Sequence, residues 1–195
     1  MNSSKFFSTL TILDGMNWKR HRIFSLIFLT YLFICCSIVV WKGSYIWFKW
    51  RLTSFVNGIL LGTAFFAYEY LLSFTSKGRR LITLMQELTG GFSLFELIVI
   101  LISGAVTEEL LFRGILLKFF LSLSGPAAAI ALTGILFGLL HGFFSKEMWL
   151  WSLSASLFGV LAGTAVFFEK NVLPGVIAHV VANLEAGFYL RYRRR

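Results

Sequence analysis

Acidic residues are scarce in this chain: Asp and Glu together number nine against eighteen Lys and Arg in 195 residues. Charged residues of both signs amount to 14%, where a soluble globular domain carries about 25%. Proline occurs only twice and no Pro/Gly/Ser-rich stretch interrupts the chain, so no linker divides it into separate domains. Cysteine also occurs only twice, as the adjacent Cys35 and Cys36 in an apolar run. That excludes a disulfide framework and a metal knuckle, and the two read as small hydrophobes. The net charge of +9 forms no basic stripe interleaved with aromatics on a soluble face, which excludes a nucleic-acid partner. The basic residues bracket apolar runs instead, where they match anionic headgroups and the positive-inside rule.

What the chain has in abundance is apolar surface, 57% of its residues. A spanning helix needs about 20 consecutive apolar residues. Runs of that kind cover Ile23–Trp41, Leu52–Phe74, Phe92–Leu123, Ala127–Phe144, Trp149–Phe168 and Pro174–Leu190, with a basic connector over Thr75–Gly91. The first run is too long for a signal-peptide core and no small-x-small cleavage site follows it, so it reads as a retained anchor. The expected fold is all-α: a polytopic membrane helical bundle of about six transmembrane helices in the cell membrane. Its parts are a polar basic flank over 1–22, one transmembrane domain over 23–190 and a basic tail over 191–195. Basic ends place both termini on the cytoplasmic side. The third run would reach roughly 48 Å as one straight helix against a hydrocarbon core of ~30 Å, so it should be tilted or broken. Ser103-Gly104 is its weak point, and a break between Ser103 and Thr107 is expected. Gly134, Gly138 and Gly142 repeat along one helical face, and Gly58/Gly62 and Gly159/Gly163 are similar pairs; such faces let backbones approach in lipid.

Three polar constellations lie inside apolar runs. In Glu108-Glu109-x-x-x-Arg113, Glu109 and Arg113 share a face while Glu108 points about 100° away. Taken alone, the Glu109/Arg113 pair reads equally well as a structural ion pair, which leaves Glu108 unexplained. Phe137-x-x-x-His141 occupies the fourth run, and His179-x-x-x-Asn183 the last. Singly, these read as an interfacial histidine and as hydrogen-bonding glue between helices. Together they are two acids, two histidines and an amide on three helices, each needing partners where no bulk water reaches. One shared wet cavity satisfies them all. It would hold a carboxylate suited to act as general base, a histidine to relay the proton, and donors for an oxyanion. No serine or cysteine has a convincing base beside it, so activated water is the simplest nucleophile for amide hydrolysis.

Glu108-Glu109-Leu-Leu-Phe-Arg113, Phe137-Gly-Leu-Leu-His141 and His179-Val-Val-Ala-Asn183, in this order, resemble the CAAX prenyl endopeptidase type II and bacteriocin-processing (CPBP, or ABI) family of glutamic-type intramembrane proteases. The resemblance covers roughly 92–190. It implies an intramembrane endopeptidase that cuts a membrane-associated peptide or protein near its terminus. In it Glu108 activates water with help from His141, His179 and Asn183 stabilise the oxyanion, and Glu109, Arg113 and Phe137 order the site. It implies no required cofactor, and allows a zinc alternative on Glu108, His141 and His179. The rival readings are a non-catalytic bacteriocin-immunity or scaffold protein of the same fold, and a small proton-coupled transporter. The absence of an internal inverted repeat counts against the transporter.

Overall fold

The computed structural model describes residues 47–142 and 148–193. The flank 1–22, the run Ile23–Trp41 with Cys35 and Cys36, and the last two residues of the tail lie outside the described residues. Within them the chain is helical throughout: α1 (Leu52–Leu72), α2 (Ser76–Thr89), α3 (Leu94–Glu109), a π-helical stretch Leu110–Leu116, α4 (Leu117–Leu123), α5 (Pro126–Gly142), α6 (Trp149–Glu169) and α7 (Leu173–Tyr192). Of these, α1, α6 and α7 are long and apolar enough to cross a membrane, and α5 is a shorter apolar helix of 17 residues. Leu60, Leu71, Leu140 and Phe168 stand exposed on the outside, as lipid-facing side chains do.

Two expectations are corrected. The basic connector Thr75–Gly91 is mostly helix α2, started by Thr75, whose Oγ1 accepts from the Gly78 amide at 3.0 Å. The chain turns by 111° between α2 and the Leu94–Leu123 segment, so the sharp bend of this region lies at Gly90–Ser93. There is also no break between Ser103 and Thr107, because α3 runs unbroken to Glu109. Ser103 folds its hydroxyl back onto the Val99 carbonyl at 2.6 Å instead of ending the helix. The irregularity comes one turn later, as the π-helical stretch that carries Arg113. π-turns of this kind recur at functional sites.

Glu108 and His141 reach one level without any such break. The two helices are antiparallel neighbours joined at Ser124-Gly125, so the turn is the proper origin. Glu108 lies fifteen residues before Leu123 and His141 fifteen residues after Pro126. Both therefore sit ~22 Å from the turn, at one level, with no break needed.

Close backbone approach holds the bundle together. The Gly134/Gly138/Gly142 face meets α6: a Cβ at Gly134 would lie 2.6 Å from Val160 Cγ2, and one at Gly142 2.6 Å from the Met148 carbonyl. A Cβ at Gly138 would overlap the Ser156 side chain and the Ser152 carbonyl. The Gly58/Gly62 pair meets α7, against Ile177 and Ala178. Helices α1 and α7 run parallel, from Gly58 beside Pro174 to Ser73 beside Tyr189. Their starts are clamped by the fully buried Asn171, whose amide donates to the Lys49 carbonyl (2.8 Å) and to Ser54 Oγ (2.9 Å) while its Oδ1 accepts from the Lys49 amide (3.0 Å). Ser54 also donates to Glu169, and Asn57 does so at 2.9 Å.

Overpacking a fitted interface costs about 1–3 kcal/mol. Gly138→Ala is expected to lower the midpoint of thermal unfolding in detergent accordingly. Gly125→Ala, whose Cβ would meet nothing within 4 Å, is expected to leave it unchanged.

Candidate active site

The site is built from α3 and its π-helical continuation, α5 and α7. Glu109 is fully buried, and its Oε1 accepts from Arg113 Nη1 at 2.6 Å across one helical turn. The same oxygen lies 3.1 Å from His179 Nδ1 on α7. A carboxylate already paired with a guanidinium accepts, so Nδ1 carries the hydrogen and His179 presents Nε2 to the site. Gly175, one turn before His179, makes room for this arrangement: a Cβ there would lie 2.8 Å from Glu109 Oε2.

His141 is oriented the same way from α5. Its Nδ1 donates to the Phe137 carbonyl at 2.7 Å, because a carbonyl can only accept. Its Nε2 therefore faces Glu108 Oε2, at 3.4 Å, and His179 Nε2 faces the same oxygen at 4.0 Å. That oxygen is buried and makes no hydrogen bond of ordinary geometry. The two neighbouring acids are thus divided by environment. Glu109 is locked with 0% of its side chain exposed, while the Glu108 side chain keeps 35%. With Nδ1 of His141 committed as a donor, its Nε2 and the Glu108 carboxylate attract only when they share a proton, so the pair is a built proton-holding unit.

Phe137 is the centre of the apolar wall. Its ring lies 4.4 Å from that of His141 and 5.5 Å from that of His179. The Arg113 guanidinium carbon sits 4.4 Å above it, with Phe112 and Phe158 each 5.8 Å from that carbon. Three aromatic faces around a buried cation offset part of its desolvation. Trp151 closes over His141 at 5.3 Å.

Asn183 stands apart from the histidines' partners: its Nδ2 donates to the Leu101 carbonyl at 3.4 Å, tying α7 to α3. Sequence reasoning missed Glu69 on α1. It accepts from Ser154 Oγ at 2.9 Å. The rule that singled out Glu108 applies equally to this lone acid in an apolar run, and would have found it. A zinc ion would need Glu108, His141 and His179, but among the described residues no three such groups stand in an arrangement able to hold a metal ion.

An α-helical membrane bundle that gathers two acids, two histidines and an arginine in an apolar interior has the form of an intramembrane hydrolase. Residues 90–184 match the family model described as Rce1-like, type II CAAX prenyl endopeptidase Rce1-like. That stretch holds every motif residue, and the match agrees with the resemblance of the three motifs to the CPBP family. No curated protein and no solved structure matches it significantly.

Removing one partner of a buried ion pair costs about 3–5 kcal/mol, because the other charge is left uncompensated. Arg113→Gln is therefore expected to lower the thermal unfolding midpoint far more than Glu108→Gln, whose carboxylate is not salt-bridged to a permanent cation.

Proposed function

We propose that the protein is an endopeptidase that hydrolyses a peptide bond of a membrane-associated peptide or protein, near its terminus, with water activated by Glu108. The observation that carries this reading is the placement of Glu108 Oε2, 3.4 Å from His141 Nε2 and 4.0 Å from His179 Nε2, beside a second acid held out of play by Arg113.

In the proposed reaction Glu108 takes a proton from water as the oxygen attacks the carbonyl carbon. The new C–O bond forms as the carbonyl π pair moves onto its oxygen. His179, in its protonated form, donates to that oxyanion from Nε2. Asn183 spends one amide hydrogen on Leu101, which leaves the second for the same role. The C–N bond then breaks and the leaving nitrogen takes the proton held between Glu108 and His141. Glu109, Arg113 and Phe137 touch none of the reacting atoms and orient the two rings. The proposal routes no step through a metal.

The basic residues of α2 and of the end of α7 lie at one end of the bundle. We place that end, and both chain termini, at the cytoplasmic face. The substrate is then presented from the bilayer in which the protease sits.

General acid–base groups contribute typically 10²–10⁴-fold. Glu108→Gln and His141→Ala are expected to reduce cleavage by about that factor while the protein stays folded, read by comparing membrane peptidomes with the wild type. Cleavage is expected to survive dialysis against a chelator. A phenotype that persists unchanged in Glu108→Gln would establish the non-catalytic scaffold reading instead.

A further inference from the structure

Gly104 stands in the interior of α3, where glycine costs stability relative to alanine. Elsewhere in the bundle close packing explains the glycines: a Cβ at Gly62, Gly134, Gly159 or Gly187 would lie within 2.7 Å of a neighbouring helix. Gly104 has no such reason. Beyond the α3 backbone and its chain neighbours, Glu108 Oε1 at 3.9 Å is the one described atom within 4 Å of a Cβ placed there. Gly104 is half-buried, so the space beside it is open.

This space is not on the lipid side of the helix. At about 100° per residue, Gly104 lies within ~40° of Glu108 and about 140–180° from Phe95, Val99 and Ile102, the exposed apolar side chains that mark the outer face of α3. Helix α5 does not reach it: α5 ends at Gly142, one residue past the level shared by His141 and Glu108, whereas Gly104 lies a full turn further on. On the other flank α7 closes against α3. Asn183 bonds the Leu101 carbonyl there, and a Cβ at Gly187 would lie 2.5 Å from Leu101 Cδ1. The two oxygens of Glu108 divide accordingly. Oε2 is buried against His141 and His179 and is closed to an entering molecule. Oε1 is the oxygen beside Gly104, and the 35% exposure of the Glu108 side chain lies away from Oε2. A peptide that reaches this carboxylate therefore arrives on the Gly104 side.

We propose that Gly104 floors the path by which the substrate reaches Glu108: an extended peptide crosses it, and its main chain comes against Glu108 Oε1 through the room a side chain at this position would fill. Glycine is the residue that permits such close approach of a backbone to a ligand. This rests on the protease reading. Gly104→Ala is expected to keep or raise the thermal unfolding midpoint in detergent, since its Cβ meets no other helix. Cleavage, read from the membrane peptidome, is expected to fall with side-chain size, modestly for Gly104→Ala and about 10²-fold for Gly104→Leu, as when a substrate is displaced by about 1 Å. A folded Gly104→Leu variant that cleaves like the wild type overturns the proposal. A second arm does not depend on the folding of that variant. Gly104→Cys is made in a chain that also carries Cys35→Ala and Cys36→Ala, and membrane fragments holding it are treated with a small cationic methanethiosulfonate. The new thiol is expected to react rapidly, the thiol of a lipid-facing Val99→Cys control slowly, and cleavage to stop once the adduct has formed on the folded protein. Reaction no faster than in the control, or an adduct that leaves cleavage intact, overturns the proposal. Glu108→Gln tests the protease reading separately: loss of cleavage there with none in the Gly104 variants sinks this inference alone, and no loss there sinks both.

Discussion

Everything in the site leans on the contact between Glu109 and Arg113. Neither group is stable alone in an apolar interior, and together they occupy one helical turn with almost no exposure. Three consequences follow. Glu109 Oε1 accepts from His179 and so sets which nitrogen that ring offers. Arg113 lies on Phe137, whose ring in turn backs both imidazoles. And Glu108, next in sequence to Glu109 but rotated about 100° around the helix, is left as the acid without a permanent counter-charge. The adjacency of two identical residues produces one buried anchor and one partly exposed acid that faces two histidines.

The helices themselves were readable because apolar runs of spanning length leave few alternatives. The boundaries of α1, α5, α6 and α7 fall within a few residues of the runs that specify them. The convergence of Glu108, His141 and His179 was also legible, since isolated polar groups in lipid must find each other. The line between loop and surface helix was not. The stretch Thr75–Gly91 has charge enough to read as a connector, yet Thr75 caps it and its apolar positions recur on one face. Glu108 and His141 share a level because two antiparallel helices are in step at the turn that joins them, a relation that neither run shows by itself. The π-helical stretch had no signal in the residues at all: Leu110–Leu116 would suit an ordinary α-helix.

Asn183 and Glu69 show what the spacing within one helix leaves open. Asn183 was grouped with His179 because the two share a helical face, but a shared face does not decide which partner is nearest, and the Leu101 carbonyl is what its amide meets. Glu69 was passed over because it belongs to no motif. Its position follows from the parallel pairing of α1 with α7, a tertiary fact that no spacing within one run encodes.

That pairing is fastened at the far end from the chemistry. Asn171 bonds the approach to α1 and the start of α7 to one another, in a turn where every polar group of its side chain is engaged. The two rods, α1 and α7, are tied beyond this pin as well, by the Gly58 and Gly62 contacts with α7 and by Ser73 Oγ and Tyr189 Oη at 3.1 Å, so their spacing is set along the whole length. Glu69 and His179 ride on these two rods. Their separation is therefore inherited from a seam that neither of them forms, with an asparagine remote from the acids and imidazoles as its foundation.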